Sequence, residues 1–316
     1  MSWSPPAPAD WVNAANRGEL AAYQPDAAPF DAAALWGRPD PPAGLQVFCT
    51  ALEAEADLTP LGRWATQRYL RRLVAQRHRL DELPATENPV REPLFVIGAP
   101  RSGTTVTHRL LGADPNHRIT EGWELLYPVG DADDEAARIE RAAAELTFPQ
   151  SVAQGLGAIH TYSAHMPKEC LSAMAFAFRT EEFISRYHVP SYVDWLRAAD
   201  MAPAYAMHNR VLETLDPTGK AHWVLKSPVH LQALPQLLAA FPDARFVFTH
   251  REPTAILASV SSLIATLRSA FSDVVDPIAI GRYHLDLYAR SLDALVDHVD
   301  GGLLPADRVA HIRHAE

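Results

Sequence analysis

Residues 93–105 read PLFVIGAPRSGTT, a short apolar run that breaks into a glycine-containing loop closed by two threonines. Leu94 to Ile97 has the length and composition of a strand buried on both faces of a parallel sheet. Gly98 and Gly103 lack side chains where the backbone must turn, so successive N–H groups can converge on an anion. The positive end of a helix expected from Thr104 to Gly112 adds to that attraction. The two glycines have the spacing of a Walker loop, yet Thr104 stands where that loop carries its Lys. Arg101, inside the loop, is the nearest fixed cation. The pattern predicts a phosphate-binding strand–loop–helix unit. It argues against an ATP or GTP hydrolase and against a P-loop kinase, because no apolar strand ending in Asp offers a Mg²⁺ partner.

Outward from this unit, apolar strands recur at His222–Lys226, Arg245–His250 and Arg308–Arg313. Thr59-Pro60 opens a helix expected to reach Leu83, and helical patterns cover Asp133–Leu146 and Ser191–Leu215. Short strands alternating with longer helices predict an α/β protein: a P-loop-like three-layer fold, its central parallel sheet flanked by helices on both faces. Residues from about 130 to 220 read as a large helical insertion between strands. Residues 1–90 read as a Pro/Ala-rich helical extension packed on the core, with one or two short helices before residue 45, and residues 91–316 as the α/β domain.

The 316 residues carry a formal net charge of −10, which argues against a nucleic-acid or anionic-membrane partner. Two cysteines, Cys49 and Cys170, form no disulfide framework and fit a reducing compartment. The start, MSWSPPAPADW, lacks a basic region followed by an apolar stretch, and the uncharged run Pro253–Leu267 is too short to span a bilayer. These readings predict a soluble cytoplasmic protein without a transmembrane segment, and leave its oligomeric state open. The fourteen histidines include no His-Glu-x-x-His pair, so no metal is expected.

The loop Pro100-Arg101-Ser102-Gly103-Thr104-Thr105 resembles the 5′-phosphosulfate loop of sulfotransferases that use 3′-phosphoadenosine 5′-phosphosulfate (PAPS). The second similar stretch runs from His222 through Lys226 to Pro253, with Arg251 and Ser259 eight positions apart. The likeness covers roughly residues 90–316 and is closest to bacterial sulfotransferases, more distant to tyrosylprotein sulfotransferases. It implies sulfuryl transfer from PAPS to a hydroxyl of a small-molecule, lipid or carbohydrate acceptor, with no metal required. The alternative is a degenerate or truncated nucleotide-binding P-loop protein, since related chains usually continue beyond the point where this one ends, Glu316.

The resemblance also assigns roles. Arg101, Ser102, Gly103, Thr104 and Thr105 would bind the 5′-phosphosulfate, and Arg251 with Ser259 the 3′-phosphate. Lys226, at the C-terminal end of a strand, faces the crevice where open α/β sheets bind ligands. With Arg101, it would stabilise the transition state. Ser227-Pro228 after it reads as a helix start, split by Pro235. Glu124 is the expected base, with Glu121 and His230 as alternatives. Met166, Met174, Phe176, Phe178, Phe183, Tyr187, Tyr192, Trp195, Tyr205 and Met207 suggest an apolar acceptor pocket.

Overall fold

Strands β1 (Leu94–Ile97), β2 (His117–Arg118), β3 (His222–Lys226), β4 (Arg245–His250) and β5 (Val309–Arg313) pair throughout in parallel, in the order β2-β3-β1-β4-β5. The structure, a computed structural model, describes residues 28–86, 88–130 and 135–313. The expected short helices before residue 45 are described from residue 28 on, where Ala32–Trp36 forms and Ala43–Glu55 begins. β1, β3 and β4 have the expected spans, and β5 begins one residue late. The edge strand β2 left no signal, because it is two polar, half-buried residues long.

The sheet's two faces follow the period-2 alternation of a strand. Phe95, Ile97, Trp223, Leu225, Phe246 and Phe248 enter the main core, while the buried Val96, Val224 and Val247 stay outside that cluster. Helix Thr104–Leu111 lies against β1 and β3, and its buried His108 places Nε2 2.9 Å from the Val224 carbonyl oxygen. The main core also takes in Leu45, Phe48, Leu70 and Leu73 from helices Ala43–Glu55 and Pro60–Glu82. Thr59 caps the latter helix, its hydroxyl accepting from Gly62 N at 2.9 Å, and Pro60 opens it where no N–H is needed.

Between β2 and β3 the chain is mostly helical. The helix read from Asp133 is described from Glu135 and extends to Val152, while Asp133 itself lies outside the described residues. The pattern over Ser191–Leu215 divides into Pro190–Ala198 and Ala202–Leu215, with Pro203 in the first turn of the second helix. Phe176, Phe178, Phe183, Tyr187, Tyr192 and Tyr205, read as an acceptor pocket, are buried in the core. Phe183 stacks on Phe48 with centroids 4.0 Å apart, the Tyr187 hydroxyl lies 3.1 Å from Thr66 Oγ1, and Tyr192 donates to the Phe178 carbonyl at 3.0 Å. Their polar tips are thus satisfied, and each buried ring contributes about 1.5–3 kcal/mol.

Because the strands are parallel and in register (Val96 beside Lys226, Ile97 beside Phe248), they all end at one edge of the sheet. The loop after β1, Lys226 and Arg251 emerge there together, with β3 and β4 on opposite sides of β1.

Candidate active site

Steric limits fix the loop after β1. A Cβ on Gly98 would lie 2.2 Å from Thr249 Oγ1 and 2.6 Å from the Thr249 carbonyl oxygen, so only glycine lets β1 leave the sheet this close to β4. Gly103 has φ +92° and Arg101 φ +69°. Arg101 holds the left-handed conformation at a cost of about 1–3 kcal/mol, the sort of strain that collects at ligand sites. Ser102, expected among the phosphate ligands, turns inward: its hydroxyl donates to the Ala99 carbonyl at 2.7 Å and lies 2.7 Å from Thr249 Oγ1, and its amide donates to the same carbonyl at 3.2 Å. It shapes the loop. Helix Thr104–Leu111 has Gly103 as N-cap with no side-chain cap, which leaves the first-turn amides at Thr104 and Thr105 open to an anion.

At the mouth of the loop three expected residues meet. Arg101 Nε donates to Ser259 Oγ at 2.9 Å, and Arg251 Nη1 donates to the Arg101 carbonyl oxygen at 2.8 Å. Helix Pro253–Arg268, capped by Glu252 at the amides of Thr254 and Ala255, presents Ser259 beside its buried stripe of Ile256, Val260, Ile264 and Leu267.

Behind the loop lies a cavity of about 180 Å³ lined by Pro100, Thr105 and Lys226 on one side. That volume is comparable with apolar cavities that admit a benzene ring. Lys226, buried at the end of β3, donates to Glu169 and, at 3.4 Å, to Thr105 Oγ1. Burial alone would raise the Glu169 pKa; the Lys226 charge and hydrogen bond outweigh it and hold the carboxyl below its ordinary range. His160 lines the same cavity, its pKa brought down to about 4 chiefly by burial. The apolar wall comes from Val260, Leu263, Ile264 and Leu267. Of the aromatic and Met residues read as a pocket, Met166 alone is in this lining, and Met174 borders a second cavity of about 170 Å³.

The expected bases lie elsewhere. Glu124 is buried at the start of helix Gly122–Leu126, with Oε2 accepting from Glu121 N at 2.8 Å and Oε1 from Arg118 Nη2 at 2.9 Å. Glu121 completes that capping box and accepts from Trp123 Nε1 at 2.7 Å. Neither lines the cavity. His230 is enclosed in the core, 3.0 Å from the Tyr205 hydroxyl, and burial holds its pKa well below the usual value. Nor does Ser227 cap a helix: a 3₁₀ turn, Pro228–Gln232, follows it, and helix Leu234–Ala240 begins beyond. Glu169 and His160, which sequence reasoning did not select for catalysis, line the cavity beside Lys226.

A parallel sheet with a glycine-containing loop and a helix after its central strand defines an α/β protein of P-loop-like fold. The sulfotransferase family profile matches residues 93–316, and the chain belongs to that family. Omega-hydroxy-beta-dihydromenaquinone-9 sulfotransferase Stf3 of Mycobacterium bovis is 28% identical over 230 residues, covering 66% of this chain and 55% of that protein. The chain thus spans about half the length of the curated relatives it matches. Sulfotransferase STF1 of Mycobacterium tuberculosis H37Rv superposes with a TM-score of 0.69 at 27% identity, over 96% of this chain and 83% of that one. Sulfotransferase STF9 of Mycobacterium avium shares the fold, with a TM-score of 0.70 at 24% identity, over 99% and 80%. Among the described residues no helix is long and apolar enough to cross a membrane, and no group of His, Cys, Asp and Glu is arranged to hold a metal ion.

Proposed function

We propose that this chain transfers a sulfuryl group from PAPS to a hydroxyl of a small-molecule, lipid or carbohydrate acceptor. The observation that carries this reading is the meeting of Arg101, Arg251 and Ser259 beside a cavity in which Lys226 bridges Thr105 and Glu169. The site fits a donor with two separated phosphates. Uncapped amides at Thr104 and Thr105, with Gly103 and Arg101, suit the 5′-phosphosulfate; Arg251 and Ser259, at the outer side of the loop, suit the 3′-phosphate. Bound there, the donor would supply an activated sulfuryl group and a phosphate leaving group.

Lys226 and Arg101 would oppose the charge that develops as the sulfur–oxygen bond breaks. Glu169, held ionised by Lys226, would take the proton of the attacking hydroxyl. We assign it the role that the sequence gave to Glu124, because Glu169 lines the cavity and Glu124 does not. The aliphatic wall from Val260 to Leu267 supports an acceptor with an apolar stem, in keeping with the hydroxylated quinone named for the curated relative. Calorimetric titration with 3′-phosphoadenosine 5′-phosphate tests the reading: binding is expected, and a folded sample that binds none at millimolar ligand overturns it.

A further inference from the structure

The cavity behind the loop is lined by three cations and four carboxyl groups, and all but two of these are paired. Lys226 pairs with Glu169, Arg186 with Glu182 at 2.8 Å, and Glu145 with Arg72 of helix Pro60–Glu82 at 2.9 Å. Glu181 makes no ion pair among the described residues; it accepts from Gln232 Nε2 at 2.5 Å, and burial pushes its pKa up to about 7. The remaining group is Lys168. Its backbone is fixed on both sides, the amide donating to the Thr120 carbonyl at 2.9 Å and the carbonyl accepting from Thr120 Oγ1 at 3.2 Å. Its ammonium lies 5.7 Å from the centroid of the Tyr162 ring and has no hydrogen-bond or ion-pair partner among the described residues.

Lys168 lines the cavity without an ion pair at contact distance; burial lowers its pKa, and the charges of Glu182 and Glu169 offset only part of that cost, so an anion in direct contact would relieve it. Glu169 and Glu182 make their direct contacts with Lys226 and Arg186, so among the described residues no carboxylate is in ion-pair contact with the Lys168 ammonium. We propose that Lys168 is the anchoring residue of an anion subsite in the acceptor pocket, and that the acceptor is a hydroxy acid whose carboxylate meets this ammonium. Its hydroxyl would face Glu169, and its apolar stem would lie along Leu263 and Ile264. This assignment rests on the transferase reading above and narrows its acceptor to an acidic class. The carboxylate gains a charge-assisted hydrogen bond in a partly dry cavity, which an uncharged ester cannot form.

The test uses three phenolic acids of increasing reach, 4-hydroxybenzoate, 4-hydroxyphenylacetate and 3-(4-hydroxyphenyl)propanoate, each against its methyl ester. Binding to the full chain is measured by calorimetry, with and without saturating 3′-phosphoadenosine 5′-phosphate. At least one acid is expected to bind about ten- to hundredfold more tightly than its ester. Lys168→Met should remove that preference, Lys168→Arg should retain most of it, and circular dichroism should show both variants folded. If Lys168→Met does not fold, Lys168→Gln replaces it in the same comparison. Equal binding of acid and ester at all three lengths, no binding of any acid, or a preference that survives loss of the ammonium overturns the assignment. Nucleotide titration on the same samples is independent of it: wild type and variants should bind the bisphosphate alike, and failure there sinks the transferase reading alone.

Discussion

Arg101 Nε donates to Ser259 Oγ at 2.9 Å, so a residue in a strained left-handed conformation is tied to a helix 158 positions later in the chain. Arg251 completes the arrangement by donating to the Arg101 carbonyl. Both side chains are thereby anchored at the loop's mouth, and neither makes an ion pair with a carboxylate among the described residues. The proposed donor, with phosphates at the 3′ and 5′ positions of its ribose, would bring an anion to each.

The first prediction separates the two arginines. An arginine–phosphate contact contributes about 1.5–3 kcal/mol, which is roughly ten- to hundredfold in affinity. Arg251→Ala should therefore abolish the preference for 3′-phosphoadenosine 5′-phosphate over adenosine 5′-phosphate. Arg101→Ala should weaken both nucleotides, since both carry the 5′-phosphate. Parallel titrations at fixed salt decide it. Equal losses for both ligands in Arg251→Ala would make Arg251 a support for the Arg101 carbonyl and nothing more.

The second prediction concerns Glu169. Its replacement by Gln should lower turnover about 10²- to 10⁴-fold while leaving nucleotide affinity unchanged. It should also destabilise the fold by about 1–3 kcal/mol, because Lys226, with its side chain 4% exposed, loses its counter-ion. The double variant Glu169→Gln with Lys226→Met should recover much of that stability and none of the activity. Urea denaturation and steady-state rates on the same three proteins separate the two effects. Full activity in Glu169→Gln would move the base to another proton acceptor lining the cavity, such as His160 or Glu181.

Strands β1, β3 and β4 were legible because each is a continuous apolar run that ends where polar residues begin, and the parallel register then puts their ends together. The apolar spacing within Pro253–Arg268 is that of a helix, but it does not tell the helix's role. Periodicity marks Val260, Leu263, Ile264 and Leu267 as facing away from water, and a dry cavity wall satisfies that pattern as well as a packed core does. Glu169 left no local signal. It is positioned by non-local backbone bonds, Lys168 N to the Thr120 carbonyl and Cys170 N to the Lys226 carbonyl at 3.1 Å, in a segment without periodicity. Glu121 and Glu124, by contrast, stand three residues apart at a helix start, and that spacing signals a capping box.

The third prediction tests the loop's steric constraint. Gly98→Ala places a methyl group 2.2 Å from Thr249 Oγ1 and 2.8 Å from Ser102 Oγ. The strand cannot retreat, because Val96 and Ile97 are locked in register with Val247 and Phe248. A loss of about 1–3 kcal/mol in stability is expected, the usual cost of overpacking. Loss of nucleotide binding should accompany it as Ser102 is displaced. Gly157→Ala, where a Cβ would meet nothing within 4 Å, is the control and should leave both quantities unchanged. Wild-type binding by Gly98→Ala would mean that the cradle tolerates a shift in β4.

The last prediction concerns acid. His208 and His230 lie in the main core with ring centroids 6.2 Å apart; burial brings the pKa of His208 down to about 3 and holds that of His230 well below its usual value. Neither His208 Nδ1 nor His230 Nε2 has a hydrogen-bond partner among the described residues, so no neighbour would stabilise an added proton. In the unfolded chain both rings titrate near pH 6.5. Above that pH both states hold neutral imidazole and folding is unaffected. As pH falls below it, the unfolded state binds protons that the folded state refuses, and stability declines by up to about 1.4 kcal/mol per pH unit for each ring. Urea unfolding at pH 7, 6 and 5 should show that decline. His208→Phe, which removes one titrating ring from an aromatic environment, should make it shallower by about half the pair's share. A slope identical in wild type and variant would mean that other groups govern acid unfolding.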